Sequence, residues 1–273
     1  RDWSSDVVLF RSRLSGREQG KRFVLAGRSL EMRLAHEESY TAGGFDLQWE
    51  GPAAVAASEP PATETLATFA PKGEFHAEEL SLEPLVRLAA FLPVPQAWRA
   101  RLVDLEPRGR LHDLRFTWNA APAEAGANPA LAFTLRGRFA RLGVNRFGEW
   151  GGFDGLSGSI DANQAQGTLR VESENIVLDA ARRLPEPMRF DSLVAGVSWK
   201  RQPLRVSFSN VAVSNHELAG TAHGAWTATA EGPGNLELTG SVSRADATAV
   251  WRYIPLLPAS VADYLKEIGR AHV

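Results

Sequence analysis

The chain has 273 residues, of which 44% are hydrophobic and 23% are charged, and its formal net charge is −2 at pH 7. This length supports one large domain or two small ones with a sizeable core, and the composition excludes wholesale disorder. A nearly neutral chain has no global basic field, so we expect no nucleic-acid partner. Cysteine is absent, which excludes disulfides, thiol nucleophiles and thiolate metal sites.

Alternation of apolar and polar residues with a period of two dominates the chain and predicts strands with one apolar face. Short connectors with turn residues, such as residues 200–203, separate these strands and predict a meander of hairpins. Gly137, Gly158, Gly220 and Gly240 lie inside strand patterns, where glycine often indicates a bulge or bend in a curved sheet. The alternating segments in chain order are 23–25, 30–34, 45–49, 114–118, 131–139, 156–162, 169–171, 176–178, 193–199, 204–208 and 236–242.

Four segments interrupt the alternation. Residues 51–71 are rich in Ala, Pro, Glu and Thr and predict a long flexible loop, and residues 121–129 predict a shorter one. Residues 81–102 predict a helical break, because Pro84 suits the first turn of a helix and leucines follow at helical spacing. After the last strand, the capping-box spacings of Ser243 with Asp246 and of Ser260 with Asp263 predict a short helical pair at 244–266.

A long meander with one apolar face must cover that face. A second sheet would cover it in a closed sandwich, whereas strong curvature would make a trough whose inner face is filled by an apolar ligand. Trp49, Trp118, Trp199 and Trp226 lie at or near strand ends and would be core in the first case and lining in the second. The residues alone leave both arrangements open, and the strand glycines and sparse helices favour curvature.

No motif indicates a phosphate or metal site. Residues 148–158 are rich in glycine, but a strand pattern follows them, whereas a phosphate cradle needs a helix N-terminus. None of the six histidines has the spacing of a helical zinc site, and only His216 and His223, near Glu217, are conceivable ligands. We therefore expect no metal and no cofactor.

Paired carboxylates are the remaining signal for catalysis. Asp154 with Asp161, or Asp104 with Asp113, can converge in space, but the wet faces of any strand protein offer such pairs. The sequence GLSG at residues 155–158 is one residue short of a nucleophile elbow and lacks its strand–turn–helix context. We therefore expect that the chain is not an enzyme.

Three stretches, in this order and spacing, are similar to one known family. They are LSLEPLVRLAAFLPVPQAWRARLVDLEPRGRLHDLRFTW, FARLGVNRFGEWGGFDGLSGSIDANQAQGTLRVESENIVLDAARRLPEPMRFDSLVAGVSWK and LELTGSVSRADATAVWRYIPLLPASVADYL. Together they span roughly residues 75–266. The chain resembles the YhdP family of AsmA-like proteins from Gram-negative bacteria.

The resemblance implies a function of shape rather than catalysis. Proteins of this kind are anchored in the inner membrane, lie in the periplasm and form a long, taco-like β-groove with an apolar inner surface. They resemble bridge-type transporters that carry phospholipid between the inner and outer membranes. Phospholipids are then the partners, together with unidentified envelope proteins, and the membrane anchor lies outside this sequence. Alternating strands suit this role, because acyl chains need a continuous apolar strip while head groups stay in water.

We therefore expect a mainly β chain, built as a long curved antiparallel β-meander that forms an open, taco-like groove with short helical interruptions. The alternative is a periplasmic or surface β-sandwich module that binds carbohydrate or protein. The apolar residues between Leu131 and Phe208 are expected to line the groove, although one bulge reverses which residues face inward. The expected lining is Leu131, Phe133, Leu135, Phe139, Leu156, Ile160, Leu169, Val171, Ile176, Leu178, Leu193, Val197, Trp199, Leu204, Val206 and Phe208.

Residues 267–273, EIGRAHV, do not continue the preceding helix pattern. Their codons can be written GAG ATC GGA AGA GCA CAC GTC, which contains the start of a short-read sequencing adapter. The hypothesis is that the gene was read into adapter, so that neither Arg1 nor Val273 is a natural terminus. The alternative is a natural helix end with Gly269 as its C-cap. The expected segments are N-terminal strands at 1–80, a helical break at 81–102, a curved groove at 103–243, a helical pair at 244–266 and the artefact at 267–273.

Overall fold

The computed structural model describes residues 7–20, 22–34, 40–42, 44–50, 72–83, 96–120, 131–145, 151–179, 186–229, 231–232, 234–246 and 248–253. Helix α1 (Gln96–Leu105) lies between the fifth and sixth strands, and a 3₁₀ helix (Val250–Tyr253) follows the last. The strands are β1 (Val7–Gln19), β2 (Arg22–Leu34), β3 (Tyr40–Ala42), β4 (Phe45–Glu50), β5 (Lys72–Ser81), β6 (Arg108–Ala120), β7 (Leu131–Val144), β8 (Gly152–Asn163), β9 (Gln166–Asp179), β10 (Met188–Arg201), β11 (Leu204–Ser214), β12 (Leu218–Thr227) and β13 (Asn235–Ala245).

These strands belong to one sheet and are hydrogen-bonded in chain order from β1 to β13, except that β3 pairs with β2 beside the main path. Neighbouring strands are antiparallel, as hairpin connections require. Among the strands that the structure describes, β1 and β13 are the two edge strands. The prediction of a mainly β chain, built as an open antiparallel meander, is confirmed.

The alternation in β7 shows how the sequence produces a two-sided strand. From Leu131 to Phe139 every second residue is buried or half-buried, and the residues between them are exposed. Thr134, Arg136 and Arg138 are among those exposed side chains. Successive side chains of a strand point to opposite faces, so the pattern of two places all the apolar residues on one face.

Several strands contain a residue with a left-handed backbone within their length. Asp113 in β6, Arg141 in β7, Asn175 in β9 and Asn210 in β11 have φ of 50°, 51°, 56° and 51°. Asn and Asp adopt this conformation at a small cost because their short polar side chains bond locally. At Asn210 the register shifts by one residue against both β10 and β12, which defines a β-bulge. A bulge bends its strand and increases the local twist.

Of the glycines predicted to mark bulges, Gly220 lies at a register shift and Gly137 has a different role. None of Gly137, Gly158, Gly220 and Gly240 has a positive φ. Gly220 lies beside a register shift of β12 against β13, whereas Gly240 pairs with Ala222 in register. A Cβ built on Gly137 would lie 2.8 Å from a side-chain carbon of Leu114. The absence of a side chain there gives a neighbouring apolar side chain room to pack.

The chain divides into two compact units by its internal contacts. Unit 1 consists of residues 1–103, 109–139 and 160–164, and unit 2 consists of residues 104–108, 140–159 and 165–273. Strands β1 to β6 therefore belong to unit 1, apart from the first residue of β6, and strands β9 to β13 belong to unit 2.

The helical interruptions are present where the structure describes the chain. Within the break predicted at 81–102, β5 ends at Ser81 and α1 runs on to Leu105, whereas residues 84–95 lie outside the described residues. The 3₁₀ helix lies within the segment 244–266, where a helical pair is predicted, and β13 extends into that segment as far as Ala245. Residues 254–273 and the two predicted loops also lie outside the description. None of the described helices is both long and apolar enough to cross a membrane.

Candidate functional site

Strands β9 to β13 of unit 2 carry apolar side chains in rows that cross the sheet. Directly paired residues of antiparallel strands point to the same face. Leu169 of β9 pairs with Val197 of β10, and Val197 pairs with Phe208 of β11. The two full rows are Leu169–Val197–Phe208–Gly224–Leu238 and Gly167–Trp199–Val206–Trp226–Leu236. These rows, together with Val171 and Leu193 on the same face, are called the unit 2 strip.

The opposite face of the same strands is largely polar. Thr168, Ser198 and Ser207 are paired across β9, β10 and β11, directly behind the first apolar row. The row beyond Trp199 on that face is Gln166–Lys200–Arg205–Thr227–Asn235. The strands therefore separate an apolar surface from a wet one over the thickness of a single sheet.

Unit 1 has an apolar face of the same kind, and its rows on β2, β4, β5 and β6 contain none of the residues expected to line the groove. Its rows are Phe23–Trp49–Gly73–Trp118 and Leu25–Leu47–Phe75–Phe116 across β2, β4, β5 and β6. The rings of Phe23 and Trp49 stack at 5.1 Å between centroids, and the Phe116 ring lies 6.2 Å from that of Phe133 in β7. A cavity of about 600 Å³ lies beside the row that contains Trp49, Gly73 and Trp118, and Phe133 is also among its lining residues.

Most of these apolar side chains are only half-buried. Ile176 is the one large side chain in the described part of the chain that is fully buried. Leu236, Leu238 and Val242 on the edge strand β13 are 61%, 60% and 65% exposed. Contiguous exposed apolar residues on a folded chain often mark a binding surface, so this row on β13 is a candidate for one.

The sixteen residues predicted to line a groove lie on β7, β8, β9, β10 and β11. In unit 2, the register brings Leu169, Val197 and Phe208 together, and likewise Trp199 with Val206. Leu204 is at the tip of the β10–β11 hairpin and is 40% exposed. The buried members are Phe139, Val171 and Ile176; the half-buried members are Leu131, Phe133, Leu135, Leu156, Ile160, Leu169, Leu178, Leu193, Val197, Trp199, Val206 and Phe208.

Ile176 and Leu178 belong to a packed cluster at the other end of the strands. Ile176 pairs with Phe190, and the Phe190 ring lies 6.3 Å from the ring of Tyr253 in the 3₁₀ helix. Strands β9 and β10 pair without a register shift from Gln166 to Leu178. Ile176 and Leu178 therefore alternate in phase with Phe190 and out of phase with Val197. Ile176 has no exposed surface and offers none to a ligand.

Tryptophan rings cover glycines of the neighbouring strand at one end of the strands in each unit. A Cβ on Gly73 would lie 2.1 Å from the Trp118 ring, and a Cβ on Gly167 would lie 2.2 Å from the Trp199 ring. Real Cβ atoms do not approach so closely, so each indole lies against the backbone of its glycine. Glycine at these two positions is what lets the ring lie flat on the apolar face.

The substitution Gly167→Ala is expected to displace the Trp199 ring. Overpacking of this kind typically costs about 1–3 kcal/mol in unfolding free energy, measurable by urea denaturation. Gly16→Ala is the matched control, because Gly16 is also a strand glycine and a Cβ at that position would meet no atom within 4 Å beyond its chain neighbours. Equal destabilisation by the two substitutions would contradict the packing of Trp199 on Gly167.

A buried polar cluster closes the β11–β12 turn of unit 2. The Asn215 amide donates to the carbonyl of Arg189 at 2.6 Å and to the Tyr253 hydroxyl at 2.8 Å. Tyr253 donates to Glu217 at 2.8 Å, and the Arg252 guanidinium pairs with the same carboxylate. These contacts join strand ends that are distant in sequence to the 3₁₀ helix. Sequence reasoning missed the cluster, because the partners in three of its hydrogen bonds are 35 or more residues apart in the sequence.

Burial raises the pKa of Tyr253 above its ordinary value, and the nearby Glu217 carboxylate adds to this effect. A raised pKa means that folding favours the neutral phenol. The stability that this residue contributes is therefore present below the unfolded pKa and is lost as the pH rises through the folded pKa. Hydrogen bonds from Thr248 lower the pKa of Asp246, in the turn that precedes the 3₁₀ helix.

The substitution Glu217→Gln is expected to lower the pKa of Tyr253 towards its ordinary value, because the negative charge beside the phenol is removed. The ultraviolet absorbance of tyrosinate follows this titration, and the chain has only three tyrosines. Subtracting the titration curve of Tyr253→Phe isolates the signal. An unchanged Tyr253 titration in Glu217→Gln would contradict the arrangement of the cluster.

The carboxylates considered for catalysis mostly form ion pairs with arginines on polar surfaces. The three pairs are Asp161 with Arg136 at 2.9 Å, Asp154 with Arg108 at 3.8 Å, and Asp113 with Arg138. Asp104 lies in α1, and its side chain is exposed. These contacts assign the paired acidic residues to surface ion pairs and leave each without the shielded environment that a general acid needs.

The histidines considered as metal ligands are not gathered into a site. Within the described segments, no group of three or more His, Asp or Glu side chains is arranged to hold a metal ion. The His216 imidazole is 85% exposed and lies 3.5 Å from Glu217, whereas His223 lies on β12, paired with Thr239 of β13.

Comparison with known proteins identifies a family. The family model described as YhdP protein matches residues 3–268, nearly the whole chain. No curated protein and no solved structure matches the chain.

Proposed function

Because the chain belongs to the YhdP protein family, we propose that it is a non-catalytic segment of a lipid-transfer protein whose apolar β-surface carries phospholipid acyl chains. The observation that carries this proposal is the unit 2 strip. Its two rows cross five strands without a charged side chain, and polar residues lie directly behind them on the other face of the sheet.

The strip has the chemistry that an acyl chain requires. Removing each methylene group from water contributes about 0.8 kcal/mol, so a long chain laid along a half-buried apolar surface gains affinity in proportion to its length. The interaction has no directional requirement, which suits a lipid that must move along the surface. The phosphate and glycerol groups remain at the ends of the strands, in water.

The role needs no catalytic residue, and a shifted pKa at the strip is not required either. In this proposal the full protein is anchored in the inner membrane of a Gram-negative bacterium, lies in the periplasm and carries phospholipid towards the outer membrane. The AsmA-like architecture supports this placement through its resemblance to bridge-type transporters. A β-sandwich module for carbohydrate or protein is less well supported, since the described strands form one sheet whose apolar side chains are largely half-buried.

The proposal is tested by extracting lipid from the purified chain and measuring it by mass spectrometry. We expect phospholipid to co-purify, and to rebind after delipidation when the chain is incubated with phospholipid vesicles. If carbohydrate or peptide co-purifies with the chain and phospholipid neither co-purifies nor rebinds, the result would support the alternative module and overturn the lipid-transfer proposal.

A further inference from the structure

The β10–β11 hairpin of unit 2 carries a concentration of positive charge at its tip. Lys200 of β10 and Arg205 of β11 are directly paired across the strands. Like charges in direct cross-strand pairs destabilise a sheet, because their Cβ atoms are only about 5 Å apart. Arg201 lies beside them at the start of the turn, and all three residues are exposed.

Acidic side chains do not balance this charge. Within the described part of the chain, Lys200, Arg201 and Arg205 make no side-chain ion pair or hydrogen bond. Their neighbours in the same row are Gln166 and Thr227, which are neutral. By contrast, four other arginines of the strands are each paired with a carboxylate, namely Arg108, Arg110, Arg136 and Arg138.

The tip also ends the unit 2 strip. Trp199 and Val206, on the apolar face, are each one residue from the Lys200–Arg205 pair, and Leu204 is 40% exposed at the turn. Lys200 and Arg205 lie on the polar face, one residue beyond the last apolar row. Lys and Arg have long apolar stems, so their charged groups can reach around the strand ends at the tip towards the apolar face. Tryptophan prefers such boundaries, where one side is apolar and the other is wet.

We propose that Lys200, Arg201 and Arg205 bind the phosphate of an anionic phospholipid whose acyl chains lie on the unit 2 strip. A phosphate placed between Lys200 and Arg205 replaces their repulsion by charge-assisted hydrogen bonds, which are the strong class for Arg and Lys. Three positive charges without acidic partners favour a lipid with net negative charge over a zwitterionic one. This inference rests on the proposed lipid-transfer function and adds a head-group preference to it.

The test uses the full chain, delipidated and then incubated with vesicles of phosphatidylethanolamine and phosphatidylglycerol in equal parts. Lipids on the repurified chain are quantified by mass spectrometry. We expect phosphatidylglycerol to be enriched on the unmodified chain. The variant Lys200→Gln/Arg201→Gln/Arg205→Gln should lose this enrichment, with roughly a tenfold or greater weakening of phosphatidylglycerol binding, while phosphatidylethanolamine binding is kept.

The control variant Arg101→Gln/Arg115→Gln/Arg170→Gln removes the same number of positive charges from exposed residues and should keep the enrichment. Urea denaturation checks folding, and the hairpin variant should be at least as stable as the unmodified chain because a like-charge pair is removed. Enrichment that survives in the hairpin variant, or is lost equally in the control, would overturn the proposal.

Two further outcomes separate the possible causes. If neither lipid binds the unmodified chain, the lipid-transfer function itself fails; if both bind without preference, only the head-group site fails. Inorganic phosphate equimolar with the lipid should not compete, since the acyl chains supply much of the affinity. Competition by phosphate at that concentration would assign the tip to free anions and overturn its assignment to lipid.

Discussion

The substitution Val197→Asp is expected to weaken phospholipid binding to the unit 2 strip strongly. Val197 is the central residue of a row that continues to Leu169 on one side and Phe208 on the other. An acyl chain across this row would have to desolvate the new carboxylate, at a cost of several kcal/mol, so affinity should fall by roughly a hundredfold. The chain should still fold, since Val197 is only half-buried.

The absence of cysteine makes the local measurement simple. A single cysteine introduced as Leu193→Cys, and labelled with an environment-sensitive fluorophore, reports the entry of an acyl chain at the same face of β10. In this background, Ser198→Asp is the matched control, because it places the same charge one residue further along, on the polar face between Thr168 and Ser207. An equal loss of the fluorescence response in both variants would contradict the two-faced arrangement.

The substitution Asn215→Ala is expected to lower the free energy of unfolding by about 3 kcal/mol, because it leaves several buried groups without partners. The Asn215 side chain makes four hydrogen bonds. It donates to Arg189 and Tyr253, and it accepts from the backbone N–H groups of Glu217 at 3.0 Å and Leu218 at 2.7 Å. Equilibrium urea denaturation measures the change.

His216→Ala is the control for this prediction. His216 is the next residue of the same turn, but its side chain is 85% exposed. Its removal should change the free energy of unfolding by no more than about 0.5 kcal/mol. If Asn215→Ala were as mild as His216→Ala, the polar cluster would not be what holds the 3₁₀ helix to the strands.

The strands could be predicted because their cause is local. In β7 the alternation from Leu131 to Phe139 is a direct consequence of side-chain direction along an extended backbone, and it needs no knowledge of the neighbours. The same rule makes Val197 and Phe208 members of apolar faces. It cannot say that they are paired with each other, because pairing depends on register.

Glycine does not predict the left-handed positions, although Gly220 does lie beside a register shift, and the reason is physical. Glycine permits positive φ but does not require it, and Gly137 is extended in the sheet. The left-handed positions are instead residues such as Asp113, Asn175 and Asn210, each preceding an apolar residue at which the alternation changes phase. A change of phase in the apolar alternation beside an Asn or Asp is therefore the sequence signal that locates the left-handed positions.

The polar cluster and the paired tryptophans and glycines depend on contacts between distant segments. Nothing near Asn215 in the sequence indicates that Tyr253 is its partner, 38 residues further on. Gly167 and Trp199 likewise become neighbours only through the register of β9 with β10. Such pairs are fixed by the packing of the whole unit and not by local preference.

Photocrosslinking from adjacent residues of β10 and β11 tests the lipid path most directly. A photoreactive amino acid replaces Val197 or Phe208 on the apolar face in one pair of variants, and Ser198 or Ser207 on the polar face in the other. We predict phospholipid adducts, detected by mass spectrometry of the irradiated chain, from positions 197 and 208 and none from 198 and 207. Adducts of equal yield from both faces, or none from 197 and 208 in a chain incubated with phospholipid vesicles, would contradict a lipid path along the unit 2 strip.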